Sequence, residues 1–335
     1  MSFEELPAPI LESAPRMLPC KPALFDPDHL SRVTACAFGR RLQDLIPVLQ
    51  ETRYMENPLS IYRLGEATIL GGIIVTKSNR IFHSETVTAS LKDAIASAPV
   101  TAEAVVPNST QGLFYFGHWL GDDVSAFEAF RDDPGLVSLP LPPWPDTELY
   151  RKLFDQNWRQ QRVVRTRSLT MLRDLGFSQR KAERYRGLRS RLRNRLKGAG
   201  PEIVYLRRGP SGTARQIVNA TELERRLAEA GIAILTPEQD GEHVVARALD
   251  AKLVISVEGS QACHAIYALR DAGSLLVLQP PDRFYAAPHE WMRTLDMNCG
   301  MVIGTAAEGG FSIDPDEVLQ MVDRLLDRTE NREAS

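Results

Sequence analysis

Cysteine is scarce in this chain: four in 335 residues, at Cys20, Cys36, Cys263 and Cys299, far apart and with no C-x-x-C pair. That spacing excludes a disulfide framework and a structural zinc site, and leaves isolated thiols. Also missing is any uninterrupted apolar run of the roughly 18 to 20 residues that a membrane-spanning helix needs. The segment from Met1 to Pro9 is acidic and broken by proline, where a secretory leader would be basic and then apolar, so a cytoplasmic location is expected. There is no internal repeat or low-complexity tract, and the formal net charge is only -3. Ser260 lacks the G-x-S-x-G surroundings of a hydrolase nucleophile. Cys263 and His264 are neighbours on an expected helix, about 100° apart, and so do not form a thiolate pair by themselves. Covalent catalysis is therefore not expected.

What remains is the composition of an ordinary globular protein, 43% hydrophobic and 25% charged, long enough for two domains with separate cores. Residues 1–145 read as a sheet-bearing domain. Strand-like runs at 62–64, 67–70 and 72–76 are separated by Gly65-Glu66 and Gly71-Gly72, and a run at 102–106 stops at Pro107-Asn108, a pattern of antiparallel elements. The proline-rich stretch 136–145 is a rigid extended connection. Residues 146–200 read as a basic helical connector. Between 180 and 197, Arg180, Lys181, Arg184, Arg186, Arg189, Arg191, Arg193, Arg195 and Lys197 are answered only by Glu183. Such density suits nucleic acid or an anionic membrane. A solvated connecting helix is the preferred reading and no nucleic-acid partner is expected, because no nucleic-acid motif accompanies the charge.

From residue 201 to 312, strand and helix alternate. Strands are expected at 203–206, 232–235, 253–257, 274–278 and 301–304, and helices at 221–230, 241–249 and 259–270, which implies right-handed βαβ units and a parallel sheet. Residues 313–335 form a closing helix and tail, with Val318, Leu319, Val322, Leu325 and Leu326 on one face.

Three segments carry candidate chemistry. The first strand of this region runs directly into Arg207, Arg208 and Gly209. That places two guanidinium groups at a strand's carboxyl end, where open α/β sheets hold ligands, and the planar fork of arginine suits phosphate oxygens. The alternative is a surface turn. Glu258, Gly259 and Ser260 end another strand and should open at the same edge, with Gly259 and Ser260 beginning a helix whose free N–H groups favour an anion. Glu258 would contact a ribose or sugar hydroxyl, or form a salt bridge to a neighbouring arginine. Earlier, His118 and Asp122 are four residues apart and share a helical face, with Asp123 beside them. An acid/base pair is one reading; helix capping and a structural histidine is the other. With only two such ligands and no third nearby, no metal site is expected.

In this order the motifs resemble glycosyltransferase family 61. The resemblance rests on His118-x-x-x-Asp122, Tyr205-Leu206-Arg207-Arg208, Asn219-Ala220 and Glu258-Gly259-Ser260, and is clearest from 201 to 304. Ala220 replaces the family's usual glutamate, Glu258 stands where many members have histidine, and His264 lies near the position of a later asparagine. The resemblance implies an α/β protein of GT-B type: two Rossmann-like domains facing across a cleft, the C-terminal one a doubly wound parallel sheet. It implies no tightly bound cofactor and no metal, a nucleotide-sugar donor, UDP-linked by preference, and a glycan or lipid-linked acceptor. Arg207, Arg208 and Gly209 would hold the donor diphosphate, with Gly259, Ser260 and His264 near the nucleotide. Glu258 would touch ribose or sugar, and Asn219 would fix its loop. Asp122, which matches the family's aspartate, or Asp123 beside it would be the base, with His118 as the competing base. The basic helix would bring the chain to an anionic inner membrane face as a peripheral contact. A catalytically inactive nucleotide- or glycan-binding protein of the same fold is the competing expectation, motivated by Ala220 and Glu258.

Overall fold

The computed structural model describes residues 6–70, 73–76, 80–82, 98–197, 200–209, 215–236 and 244–333. The chain forms two compact units, Met1–Arg16 with Glu56–Leu192, and Met17–Met55 with Arg193–Ser335.

In the first unit, seven strands make one sheet: β1 (Ile10–Leu11), β2 (Ser60–Leu64), β3 (Ala67–Leu70), β4 (Ile73–Thr76), β5 (Arg80–Phe82), β6 (Val100–Val106) and β7 (Val163–Arg173). The long β7 organises it, pairing antiparallel with β2 and β3 along one side and parallel with β6 along the other. Among the described strands β6–β7 is the only parallel pair in this sheet. The antiparallel character expected from the turn-punctuated strands is present. Among the described residues the largely parallel sheet of a Rossmann-like form, implied for this half by the family resemblance, is not seen. Of the turn glycines, Gly71 and Gly72 lie outside the described residues.

β7 also corrects the helical reading of 146–197. Val164, Thr166, Leu169 and Met171 are buried while Arg167 and Ser168 face out. That is largely the period of two of a half-buried strand carrying β-branched residues, and interleaved arginines disguised it. The helices of this stretch are Thr147–Phe154 and a longer one at Gln179–Arg195. Between strand and helix layers lies an apolar core that includes Tyr62, Ile69, Ile74, Val106, Leu113, Val164, Leu169 and Met171. Taking the helices in chain order, α1 is Thr110–Phe114 and α2 is Gln179–Arg195. Ser109 caps α1 by accepting from the Gly112 amide at 2.9 Å. α2 buries Lys181, Tyr185, Leu188 and Leu192 along one face, so it is a core-facing helix despite its charge.

The second unit holds a five-stranded parallel sheet of β8 (Ile203–Leu206), β9 (Ala233–Leu235), β10 (Ala251–Val257), β11 (Leu269–Gln279) and β12 (Asn298–Ile303). Its order is β9-β8-β10-β11-β12, so the winding reverses between β8 and β10, and the carboxyl ends of those two strands border the crevice in which such sheets bind ligands. β10 is buried almost throughout, which accounts for its continuous apolar run. The helices α3 (Ala220–Glu229) and α4 (Pro315–Glu333) pack Leu223, Leu227, Val318, Met321, Val322 and Leu325 into the sheet's core. Asp314 accepts from the Asp316 amide at 2.8 Å and closes the start of α4.

Two expectations change here. The helix expected at 259–270 is a short 3₁₀ turn, Ser260–His264, and one further turn, Ala265–Ala268, because Leu269 already pairs with Ala251 as strand. The helix expected at 241–249 lies partly outside the described residues; Val244–Arg247 is helical. Residues 17–55 complete this unit from far upstream. Met17–Pro19 pairs with Arg53–Met55, Leu42–Gln50 is a helix, and Leu24 bridges to Gly300 on β12.

Candidate functional site

At the crevice between β8 and β10, alternation along an extended chain sends Arg207 and Arg208 opposite ways. Arg207 is exposed and pairs with Glu224 of α3, its Nε donating to Oε1 at 2.8 Å. Arg208 turns inward. Its guanidinium lies against Gly259: a Cβ there would come within 2.7 Å of Arg208 Nη1 and 2.8 Å of Arg215 Nη1. Gly259 itself has φ of 135°, outside the range comfortable for residues with side chains. The two loops are tied, because Gln261 Nε2 donates to the Arg207 carbonyl at 2.8 Å.

Glu258, buried at the end of β10, is the centre of this cluster. Arg215 Nε lies 2.6 Å from its Oε2, and Arg283 Nε, from the loop after β11, lies 3.6 Å from the same oxygen. Burial pushes the Glu258 carboxyl above its ordinary range, although Arg215, Arg283 and Arg208 pull the other way. Burial, then the proximity of Arg215, weakens the hold of Arg208 on its proton; Arg215 shifts likewise, with burial again the first cause. Three guanidinium groups thus gather about one buried carboxylate, with Asp282 also acting on Arg215. Of the sequence candidates, Arg208, Glu258 and Gly259 meet here, with Gly209 and Ser260 in the same loops. Arg207 is diverted to Glu224. Asn219 is spent on its loop, exchanging hydrogen bonds with Ile313 at 2.7 and 3.0 Å. His264 is buried in the 3₁₀ turn, and a turn of that length supplies little helix dipole.

In the first unit, residues 119–123 wind as a single wide π turn, a distortion frequent at functional sites. His118 Nδ1 meets Asp122 Oδ2 at 2.7 Å, and Asp122 Oδ1 receives the ammonium of Lys181 at 2.6 Å. Lys181 comes from α2, is 0% exposed, and also donates to the carbonyls of Asp174 and Gly176. Burial works to raise the Asp122 carboxyl, but Lys181 and His118 together outweigh it and hold it below the ordinary range. His118 keeps 16% of its side chain exposed. Tyr185, also from α2, donates to the Gly121 carbonyl and fixes the turn. Asp123 points elsewhere: its Oδ1 accepts from the Ser109 amide at 3.0 Å, and burial drives its carboxyl well above the ordinary range.

Residues 116–275 match the glycosyltransferase 61 family. The chain carries a glycosyltransferase 61 domain. The match opens just before His118 and runs through Arg208 to Glu258, so it takes in the central residues of both clusters. No curated protein matches the chain. Arg283 and residues 1–115 lie outside the matched span.

Three residues of these two clusters carry no signal as site residues in the sequence. Lys181 looks like one more charge of a basic stripe, yet its spacing with Tyr185, Leu188 and Leu192 places it on the apolar face. Arg215 and Arg283 had no local signal, since only folding brings them to Glu258. The stripe itself is largely consumed: Arg184 pairs with Asp174 and Glu12, Arg191 with Glu128, and Arg193 with Asp250. No helix among the described residues is long and apolar enough to cross a membrane.

Proposed function

We propose that the protein transfers a sugar from a nucleotide-sugar, UDP-linked by preference, to a hydroxyl of a glycan acceptor, with His118 as general base. The observation that carries this is the gathering of Arg208, Arg215 and Arg283 on the single buried carboxylate of Glu258 at the sheet's switch point. Planar guanidinium forks set close together at a sheet's switch point suit the oxygens of a diphosphate. As the glycosidic bond lengthens, negative charge grows on the leaving diphosphate, and donors already in place stabilise it without reorganisation. Glu258 then serves to set the arginines rather than to touch ribose. Arg207 lies outside the grip.

On the acceptor side the proton goes to His118 rather than Asp122. A carboxylate already matched to Lys181 and shifted to lower pKa is a weak base. His118, held at Nδ1, presents Nε2 to the acceptor hydroxyl, and Asp122 orients the ring and stabilises the imidazolium that forms. Phe114 and Tyr115, 54% and 42% exposed just before His118, offer flat apolar faces for a sugar ring.

The test is a thermal-shift screen with UDP-, GDP-, CDP- and dTDP-sugars, followed by sugar-release and transfer assays. A donor at a hundred times its Kd stabilises by about 2.7 kcal/mol. Arg208→Ala and Arg215→Ala should lose that shift, while His118→Ala should keep it and lose roughly 10²- to 10⁴-fold in turnover. If none of these nucleotides stabilises the wild-type protein, the reading fails. Binding without turnover would leave a nucleotide-binding protein of transferase descent.

A further inference from the structure

The segment 34–38 reaches the carboxyl edge of the parallel sheet from far upstream. Thr34 and Ala37 donate their amides to the carbonyls of Pro281 at 2.7 Å and Phe284 at 2.9 Å, which lays this segment along the loop carrying Arg283. Ala37 is the residue the turn buries. The next residue, Phe38, is 51% exposed and has φ of 55°, a region that bulky side chains rarely occupy. Its ring centroid lies 5.5 Å from that of Tyr285 in an edge-to-face arrangement, and 5.4 Å from the guanidinium carbon of Arg283. Arg283 is the same residue whose Nε faces Glu258 at 3.6 Å. An aromatic side chain in an unfavourable backbone conformation, left half in solvent, gives the core little. It stands one guanidinium away from the anion cluster.

We propose that Phe38, with Tyr285 at its edge, is the platform on which the aromatic base of a nucleoside diphosphate stacks while Arg208, Arg215 and Arg283 hold its phosphates. This rests on reading the arginine cluster as a diphosphate site. Every nucleobase has a π face, so stacking supplies affinity with little base selectivity, and Arg283 joins the two halves by packing on the ring and facing the carboxylate. The residues that make this platform all lie outside the span matched by the family, which ends at residue 275. On this assignment, nucleotide affinity in this chain depends on its own upstream segment.

The test is calorimetric titration of the full-length protein with UDP, GDP, CDP and dTDP, and separately with inorganic pyrophosphate. Phe38→Asn is the informative variant, because asparagine tolerates positive φ and removes only the ring; Phe38→Trp restores a ring. In wild type we expect both a nucleotide and pyrophosphate to bind. Phe38→Asn should weaken the best-bound nucleotide by roughly five-fold to a hundred-fold, leave pyrophosphate unchanged, and be reversed by Phe38→Trp. An unchanged nucleotide affinity in Phe38→Asn, or an equal loss for nucleotide and pyrophosphate, overturns the platform. Wild type that binds pyrophosphate but no nucleotide overturns the platform and leaves the anion cluster standing. Wild type that binds neither overturns both.

Discussion

Lys181 decides what His118 and Asp122 can do. Its ammonium lies 2.6 Å from Asp122 Oδ1 and, with His118, holds that carboxylate below the ordinary range, so Asp122 stays charged beside the imidazole it orients. Turnover and unfolding of three variants test this arrangement. Lys181→Met and Asp122→Asn should each lower turnover and destabilise the fold, and the double variant should recover stability while turnover stays low, because no carboxylate is left to hold the ring. Removing one partner of a buried pair costs about 3–5 kcal/mol, so the double variant is also the best-folded control. The other charged or titratable groups packed here, Tyr115, Asp123, Asp174, Arg184 and Tyr185, are the same in all four proteins. Identical turnover in all four would reduce Lys181 to a structural role. Asp123 behaves oppositely to its neighbour. Its folded pKa is raised, so the native state holds a proton that the unfolded chain releases, and stability falls as pH rises from the ordinary carboxylate range to the raised pKa. Asp123→Asn should remove that slope in denaturant unfolding measured across pH, while turnover survives; loss of turnover would return Asp123 to the list of candidate bases.

At the scale of elements, the loop after β10 is held by one glycine. Any side chain at 259 must adopt φ of 135° and meet the guanidinium groups of Arg208 and Arg215. Gly259→Ala should cost about 1–3 kcal/mol in denaturant unfolding and weaken nucleotide binding, because the arginines must move aside; unchanged binding would place the ligand elsewhere. This loop shows what was legible beforehand. Strand-then-helix alternation and the amphipathic α4 are local patterns, legible in the sequence. The divergence of Arg207 from Arg208 was also written there, since consecutive residues of an extended segment face opposite ways. Glu258 with an arginine was foreseen as a salt bridge, but its partners Arg215 and Arg283 were not, because they arrive through chain closure. β7 was hidden for a different reason: the arginines among its β-branched residues imitate a basic helix.

At the scale of the molecule, the second unit is built from two pieces of chain, and a linear division at residue 145 or 200 does not reproduce it. Nothing in composition marks 17–55 as belonging with the C-terminal sheet, because the contacts that place it are long-range. Leu24 donates to the Cys299 carbonyl and accepts from the Met301 amide, both at 2.8 Å, so this segment covers the outer edge of β12. Arg32 forks onto Glu317 at 2.7 and 2.8 Å and donates to the Ile303 carbonyl, and Arg293 pairs with Glu51. Without 17–55, β12 would present an apolar edge with unpaired backbone groups, a template for aggregation. Arg293 would lose its carboxylate from Glu51. A fragment of residues 193–335 should therefore aggregate or melt without cooperativity. A chain joining 17–55 to 193–335 through a flexible linker should give one cooperative transition by circular dichroism and retain nucleotide binding, since Phe38 and the three arginines all lie within it. A cooperative melt of 193–335 alone, at the temperature of the linked chain, would show that the upstream segment contributes to the site without being needed for the fold.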